Sequence, residues 1–175
     1  MKLLITGAIS WTLEQIKELQ KIGHEIIYVQ DEQVPLKEQG ISIEMIEGMI
    51  CNRLFLYNNI SDFKNLRYIQ LTSVGFDRVP LNYIKDHNIK IYNARGVYSS
   101  PMAEFAICGV LQLYKQSRFF YENQKKHRWE KHRNLIELEG KTVCIIGCGS
   151  VGTECAKRFN AFGCRVIGID IYSKE

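Results

Sequence analysis

Apolar residues occur in short continuous runs and in stretches with a three-residue repeat, which predicts strands interleaved with helices. Between the first two runs, apolar positions recur every three residues through 11–22, and Gly23 ends this amphipathic helix. Further short helices are predicted at 60–66 and 80–86. The predicted strands are 2–6, 25–29, 49–52, 68–72 and 89–92. Strands joined by crossover helices are parallel, so the pattern indicates an α/β unit that is complete by about residue 95.

A second helical segment follows this unit. Ser100 is expected to cap it and Pro101 suits its first turn. Residues 102–114 are apolar on most sides, so this helix needs cover from a domain interface or from a partner subunit. The next segment, 115–133, is polar and partly helical, and we predict one helix over 101–122.

A glycine-rich turn follows the next apolar run, residues 142–146. Its sequence is Gly-Cys-Gly-Ser-Val-Gly, residues 147–152, and a helix is predicted directly after it at 153–162. A further apolar run, 165–169, ends on Asp170, which lies 18 residues beyond Gly152. A strand, a glycine turn, a helix and a strand with a terminal acid form the pattern of a dinucleotide-binding βαβ unit.

Each glycine of this turn has a physical role in that pattern. Gly147 permits the tight turn out of the strand, Gly149 leaves room for a pyrophosphate, and Gly152 lets the helix pack closely on the strand. The alternative interpretation is that these glycines are purely structural, since tight β-to-α turns often need them. The position of the acid favours nucleotide binding over that alternative.

Backbone amides at the start of the helix would hold the phosphates. The N–H groups near Ser150 and Val151 and the positive end of the helix dipole attract an anion without a lysine. Asp170 would accept hydrogen bonds from the ribose hydroxyls and repel a 2′-phosphate. The predicted cofactor is therefore NAD rather than NADP.

Composition limits the other possibilities. The apolar fraction of 46% is ample for a core, and the formal charge of +4 is mild. The basic stretch 125–133 is interpreted as a solvated helix face, so no nucleic-acid partner is predicted. The six cysteines lack CxxC pairs or ligand spacing with the histidines, which predicts no metal site and a reduced compartment. Apolar runs stay well below ~18 residues and no leader is evident, so we expect a cytoplasmic protein without a membrane partner.

Two long stretches, 65–106 and 138–170, resemble the D-isomer-specific 2-hydroxyacid dehydrogenases. The resemblance rests on Ser-Val-Gly-Phe-Asp at 73–77, Asn-Ala-Arg-Gly at 93–96 and the glycine turn. It implies a flavodoxin-like substrate domain at 1–97, followed at 98–175 by the first βαβ of an incomplete Rossmann NAD-binding domain. It also implies an NAD-dependent oxidoreductase that transfers hydride between NAD(H) and a 2-hydroxy or 2-keto acid.

The resemblance further implies a binding role for several residues. Backbone amides of Ser73, Val74 and Gly75 would hold the substrate carboxylate, although a strand-terminating turn explains this segment equally well. Asn52 stands near the position of a carboxylate-binding arginine in the family, and its neutral amide would bind an acid less strongly. Ser99 matches a hydroxyl that contacts the cofactor, although an ordinary hinge residue is the alternative.

The family's catalytic arginine, carboxylate and histidine are expected downstream of Glu175, so no catalytic residue is assigned here. The sequence is therefore expected to be the N-terminal portion of such an enzyme and inactive by itself. The alternative is a truncated remnant that acts as a dimerisation or nucleotide-binding module. A homodimer is expected in either case, with exchange of the helix at 101–122 as one arrangement.

Overall fold

The computed structural model describes residues 1–172. The chain forms two compact units, Met1–Ala94 and the residues from Arg95 onward. The sequence-based boundary at 97/98 lies three residues later. The difference arises because the segment up to Ala94 is fixed in the first unit, where the Ala94 N–H donates to the Ser73 carbonyl at 2.9 Å.

The first unit is a five-stranded parallel sheet. Its strands are β1 (Lys2–Thr6), β2 (Glu25–Val29), β3 (Gly48–Cys51), β4 (Tyr68–Leu71) and β5 (Lys90–Tyr92). Their spatial order is β2-β1-β3-β4-β5, and every neighbouring pair is parallel. This is the strand order of the flavodoxin-like fold, so the predicted fold class is confirmed for this unit.

Two α-helices connect strands of this sheet. Helix α1 (Leu13–Lys21) begins with a capping box between Thr12 and Gln15, and α2 (Leu81–Asp86) precedes β5. Three single-turn 3-10 helices complete the connections: Ile43–Met45, Leu54–Leu56 and Ile60–Asp62. The predicted helix at 60–66 is wrong beyond its first turn, because the Leu66 N–H turns back to the carbonyl of Phe63.

The main core cluster of the first unit lies on one face of the sheet. Leu4, Met49, Ile69 and Leu71 on the strands are buried and pack with Leu54 from the turn after β3. Alternation along each strand puts these side chains on the same face. Because the strands are parallel, the loops that follow β1, β3 and β4 meet at one edge of the sheet.

The second unit contains α3 (Ser99–Tyr114), α4 (Ser117–Lys125), β6 (Thr142–Ile146), α5 (Ser150–Ala161) and β7 (Arg165–Ile169). Strands β6 and β7 are parallel neighbours joined by α5, with Thr142 opposite Arg165 and Ile146 opposite Ile169. The predicted βαβ unit is therefore present. Helix α5 begins at Ser150 rather than at the predicted residue 153, so the glycine turn leads directly into the first helical turn.

The helix predicted over 101–122 is two helices. Gln116 has φ +50° and ψ +44°, a left-handed conformation that separates α3 from α4. Helix α3 also begins earlier than expected, with Tyr98 at the N-cap position. Ser100 therefore does not cap the helix, and its hydroxyl instead donates to Glu104 at 3.3 Å and accepts from Arg158 on α5.

The second unit buries a small core against one face of its sheet. Ile107, Leu138, Phe159 and Cys164 form this core. On the opposite face Ile146 of β6 is 85% exposed. No helix within residues 1–172 is long and apolar enough to cross a bilayer.

Candidate nucleotide and substrate sites

The turn between β6 and α5 has a geometry that only glycine allows at two positions. Gly147 has φ +95°, and its N–H donates to the carbonyl of Ile169 at 2.7 Å. A Cβ atom on Gly152 would lie 2.0 Å from the carbonyl oxygen of Gly147, far inside any tolerated contact. The helix thus starts in direct contact with the strand that precedes it.

Gly149 has a different role in this turn. It is the N-cap of α5, and no atom lies within 4 Å of a Cβ built on it. The first backbone bond of the helix runs from the Thr153 N–H to the Gly149 carbonyl at 2.9 Å, so the amides of residues 150–152 have no intrahelical acceptor. No side chain caps this helix start. Open space beside aligned N–H groups is the arrangement that binds a phosphate.

Asp170 lies directly after β7, next to this turn. Its Oδ2 accepts the Cys148 N–H at 2.6 Å, and its Oδ1 accepts the Tyr172 N–H at 3.3 Å. The structure therefore brings the predicted acid and the predicted glycine turn together. A carboxylate here adds negative charge on the side of the turn where the adenosine ribose would lie, which disfavours a 2′-phosphate.

Ser99 is the remaining residue that the sequence analysis assigns to cofactor binding. It is buried in the first turn of α3, where its N–H donates to the Gly96 carbonyl at 3.3 Å. Its contact with a cofactor stays a prediction.

The loop after β4 carries the predicted carboxylate-binding amides. The Ser73 hydroxyl donates to the Gly75 carbonyl at 3.3 Å, and the Asn93 side-chain amide donates to the Val74 carbonyl at 2.7 Å. A Cβ on Gly75 would lie 2.5 Å from an Asp77 carboxylate oxygen. Carbonyl groups of the loop are thus held by neighbours, and Val74 is exposed. Val74 and Gly75 are exposed, so a ligand can reach the backbone of this loop.

Asn52 follows β3 at the same edge of the sheet. Its backbone N–H donates to a carboxylate oxygen of Glu32 at 2.8 Å, and the next N–H, of Arg53, donates to the other oxygen at 2.6 Å. The side-chain Oδ1 of Asn52 is buried without a hydrogen-bond partner among the described residues. Sequence reasoning missed Glu32, because an acid in a polar loop carries no pattern that separates it from a solvated one.

Other titratable groups of the described chain have contacts of a structural kind. His87 stacks on Tyr83 and its Nδ1 lies 2.9 Å from the Tyr83 carbonyl oxygen, while His132 packs edge-on against Phe119. Burial raises the pKa of the Cys51 thiol far above its ordinary value of 9.0, and the charge of Glu32 raises it further. Within residues 1–172 no group of three or more His, Cys, Asp or Glu side chains is arranged to hold a metal ion.

The chain is similar to known proteins along most of its length. Residues 107–175 match the model of the D-isomer specific 2-hydroxyacid dehydrogenase, NAD binding domain. The chain is 34% identical over 108 residues to a hydroxypyruvate reductase of Thermotoga maritima, covering 61% of this chain and 35% of that protein. It is 25% identical over 165 residues to a D-lactate dehydrogenase of Treponema pallidum, covering 90% of this chain and 50% of that protein.

Solved structures share the fold. A D-lactate dehydrogenase of Aquifex aeolicus, complexed with NAD and lactic acid, superposes with a TM-score of 0.79 at 24% identity, covering 99% of this chain and 53% of that one. A glyoxylate reductase structure from Paecilomyes thermophila gives a TM-score of 0.78 at 18% identity, covering 99% and 57%. At these identities the likeness shows the fold alone. In each case the chain spans about half the length of the solved structure.

The second unit has the βαβ arrangement and the glycine turn of a dinucleotide-binding domain. Residues 107–175, in the second unit, match the NAD-binding domain of the D-isomer-specific 2-hydroxyacid dehydrogenases, and the curated relatives of the chain include such enzymes. The predicted resemblance to this family is thereby confirmed, and the predicted cofactor, NAD, agrees with the description of the matched domain.

Proposed function

We propose that this chain serves NAD-dependent hydride transfer between a 2-hydroxy acid and the matching 2-oxo acid. In this proposal the second unit binds NAD and the first unit binds the acid. The observation that carries it is the β6–α5 turn, where Gly152 touches the Gly147 carbonyl and Asp170 holds the Cys148 N–H.

The chain's own residues would bind the nucleotide as follows. The N–H groups of Ser150, Val151 and Gly152 donate to the pyrophosphate, and Gly149 leaves the space that its oxygens need. Asp170 accepts the ribose hydroxyls while keeping the turn in shape through Cys148. The chemistry that bound NAD supplies is the acceptance or donation of a hydride.

The acid would bind at the carboxyl edge of the first unit's sheet. Backbone N–H groups of the Ser73–Gly75 turn suit a carboxylate, and the Asn52 amide adds a neutral donor. The adjacent Arg53 is exposed and supplies positive charge at the same edge. A small anionic acid fits these donors.

Acid–base catalysis by a histidine of the described chain is not part of this proposal. His24 directly precedes β2, and His87 lies just before β5, so both belong to the amino edge of the sheet. Asn52 and Ser73 follow strands and lie at the carboxyl edge. His127 and His132 follow α4 in the second unit, and His132 packs against Phe119. We therefore expect the 175-residue chain to bind NAD without turning it over.

A binding test separates this proposal from a purely structural glycine turn. Isothermal titration of NAD into the chain is expected to give saturable binding that is weaker for NADP. A coupled NADH absorbance assay with a panel of 2-oxo acids is expected to give no protein-dependent turnover. Absence of binding at millimolar NAD would refute the nucleotide site, and turnover would refute the account of the histidines.

A dimerisation role is the second candidate, and the surface of α3 favours it. Met102, Phe105 and Leu113 are 54%, 82% and 72% exposed. Their spacing puts them along one side of the helix, away from Ala103 and Ile107, which are buried. An apolar stripe of this kind suits an isologous contact between two copies of the chain. Exchange of a helix within such a dimer stays a prediction.

A further inference from the structure

Glu32 is a buried carboxylate at the carboxyl edge of the first unit's sheet. It lies in the loop after β2 and is only 8% exposed. Burial of an ionised carboxylate is costly unless hydrogen-bond donors surround it. Three donors do so here, one from the end of β1 and two from the start of the loop after β3.

The hydrogen bonds of Glu32 define a specific geometry. Oε1 accepts the Thr6 hydroxyl at 2.5 Å and the Asn52 N–H at 2.8 Å, and Oε2 accepts the Arg53 N–H at 2.6 Å. Two oxygens of one planar group therefore hold two consecutive peptide N–H groups. This arrangement fixes the direction in which the chain leaves β3 and, with it, the origin of the Asn52 side chain.

Glu32 lies at the topological switch point of the sheet. In the order β2-β1-β3-β4-β5 the direction of strand connection reverses between β1 and β3. Ligands of open α/β sheets bind outside the carboxyl ends of the strands at such a switch point. Thr6 ends β1 and Asn52 follows β3, so Glu32 connects the two sides of this point.

The Asn52 side chain is held in an unfavourable environment. Its Oδ1 is buried and has no hydrogen-bond partner within the described residues, a state that free rotation of the loop would relieve. The hydrogen bonds that the Asn52 and Arg53 N–H groups donate to Glu32 prevent the loop from rotating in this way. A buried polar atom without a partner calls for an explanation, and an acceptor or donor kept available for a ligand is one.

We propose that Glu32 is a positioning residue of the acid-binding loop, and that its carboxylate sets the orientation of Asn52 and Arg53 toward a 2-oxo acid. This inference rests on the proposed function. Glu32 itself does not contact the acid, because like charges repel and its oxygens are already engaged by Thr6 and the two amides.

An electrostatic role and a positioning role of Glu32 predict opposite changes in acid affinity for Glu32→Gln. Removing one negative charge near an anion strengthens binding if Glu32 acts only through its field. If Glu32 positions the loop, binding weakens, because the glutamine amide group cannot accept from the second peptide N–H. The sign of the change in affinity therefore separates the two roles.

Pyruvate titration of the full chain, followed by the backbone amide signals of Asn52, Arg53 and Gly75, tests the proposal. Glu32→Gln is expected to lower pyruvate affinity by at least about tenfold and to lower hydrogen-exchange protection of the Asn52 and Arg53 amides similarly, as loss of a charged acceptor does. Thr6→Val, which deletes one of the three bonds with little change in volume, is expected to act in the same direction but less.

Glu47→Gln is the matched control. Glu47 accepts the Lys2 N–H at 2.8 Å and a guanidinium N–H of Arg67 at the amino edge of the same sheet. Glutamine there also leaves one of two donors without an acceptor, and it should leave pyruvate affinity unchanged. Unchanged or tighter pyruvate binding by Glu32→Gln overturns the proposal. If Glu32→Gln does not fold, unchanged amide protection in Thr6→Val overturns it. Should the wild-type chain bind no pyruvate, the proposed function fails, and the exchange rates of the two amides still decide whether Glu32 holds the loop.

Discussion

Alanine substitutions at Gly152 and Gly149 probe the β6–α5 turn in two different ways. The Cβ of Gly152→Ala would lie 2.0 Å from the Gly147 carbonyl oxygen and 3.2 Å from a methyl of Ile145. Real Cβ contacts essentially never fall below 3.0 Å, so the helix start and the strand end must separate by at least about 1 Å. The severe clash is with the backbone carbonyl of Gly147, which cannot move aside as a side chain can.

The expected cost follows from packing. Overpacking of this kind costs about 1–3 kcal/mol, toward the upper limit where backbone must move. The higher helix propensity of alanine offsets this cost by up to ~1 kcal/mol of folding free energy. A net loss of about 2 kcal/mol lowers the melting temperature by roughly 4–16 °C, the smaller value applying if the whole chain unfolds as one transition.

Gly149→Ala is the matched variant, since no atom lies within 4 Å of its new methyl group. Its stability should change by no more than about 1 kcal/mol, the cost of alanine at an N-cap. The methyl group occupies the space assigned to the pyrophosphate, so NAD affinity should fall roughly 5- to 150-fold, the factor that corresponds to ~1–3 kcal/mol of steric overlap.

Circular dichroism melting and calorimetric titration of NAD with both variants measure these effects. The expected pattern is a destabilised Gly152→Ala and a stable Gly149→Ala that binds NAD poorly. Wild-type stability of Gly152→Ala would contradict the close approach of helix and strand. Wild-type affinity of Gly149→Ala would contradict the placement of the pyrophosphate.

Three further predictions concern other parts of the chain. Asp170→Asn should lower NAD affinity by roughly tenfold or more and reduce the preference over NADP, because it loses a charged acceptor; equal affinities in a calorimetric titration would refute the ribose assignment. Phe105→Glu should raise the dimer dissociation constant by at least about 100-fold, since ~1.5–3 kcal/mol of burial is lost in each copy; light scattering that shows a monomeric wild type refutes the α3 interface. The pKa of Glu47 lies below its ordinary value of 4.5, because the Lys2 backbone N–H and then Arg67 donate to the carboxylate. This contribution to stability is present above the unfolded-state pKa and is lost as the pH falls through the folded-state pKa, so Glu47→Gln should flatten the acid limb of urea-unfolding curves below about pH 5; an identical acid limb would contradict it.

Sequence patterns predicted the strands because each strand is a short, largely apolar run. Gly147, Gly152 and Asp170 were predicted together for a related reason: their roles depend on fixed spacing within one βαβ unit. In both cases, residues close together in the sequence were sufficient for the prediction. The structure places the two glycines in the β6–α5 turn and Asp170 beside it, where its carboxylate accepts the Cys148 N–H.

Long-range contacts were beyond the sequence. The side chain of Glu32 bonds residues 20 or more positions away, so no local spacing relates it to Asn52 or Thr6. The break at Gln116 was also unpredicted, because glutamine favours helices and only the surrounding structure imposes its left-handed conformation. The cap assigned to Ser100 failed because the hydroxyl bonds Glu104 and Arg158 instead.

The central claim is that the first amides of α5 bind the pyrophosphate of NAD. Titration of the ¹⁵N-labelled chain with NAD, followed by amide chemical shifts, tests it residue by residue. The account predicts that the signals of Ser150, Val151 and Gly152 shift first and furthest, with a common dissociation constant. Saturable shifts confined to other residues, or no shifts at millimolar NAD, would contradict it.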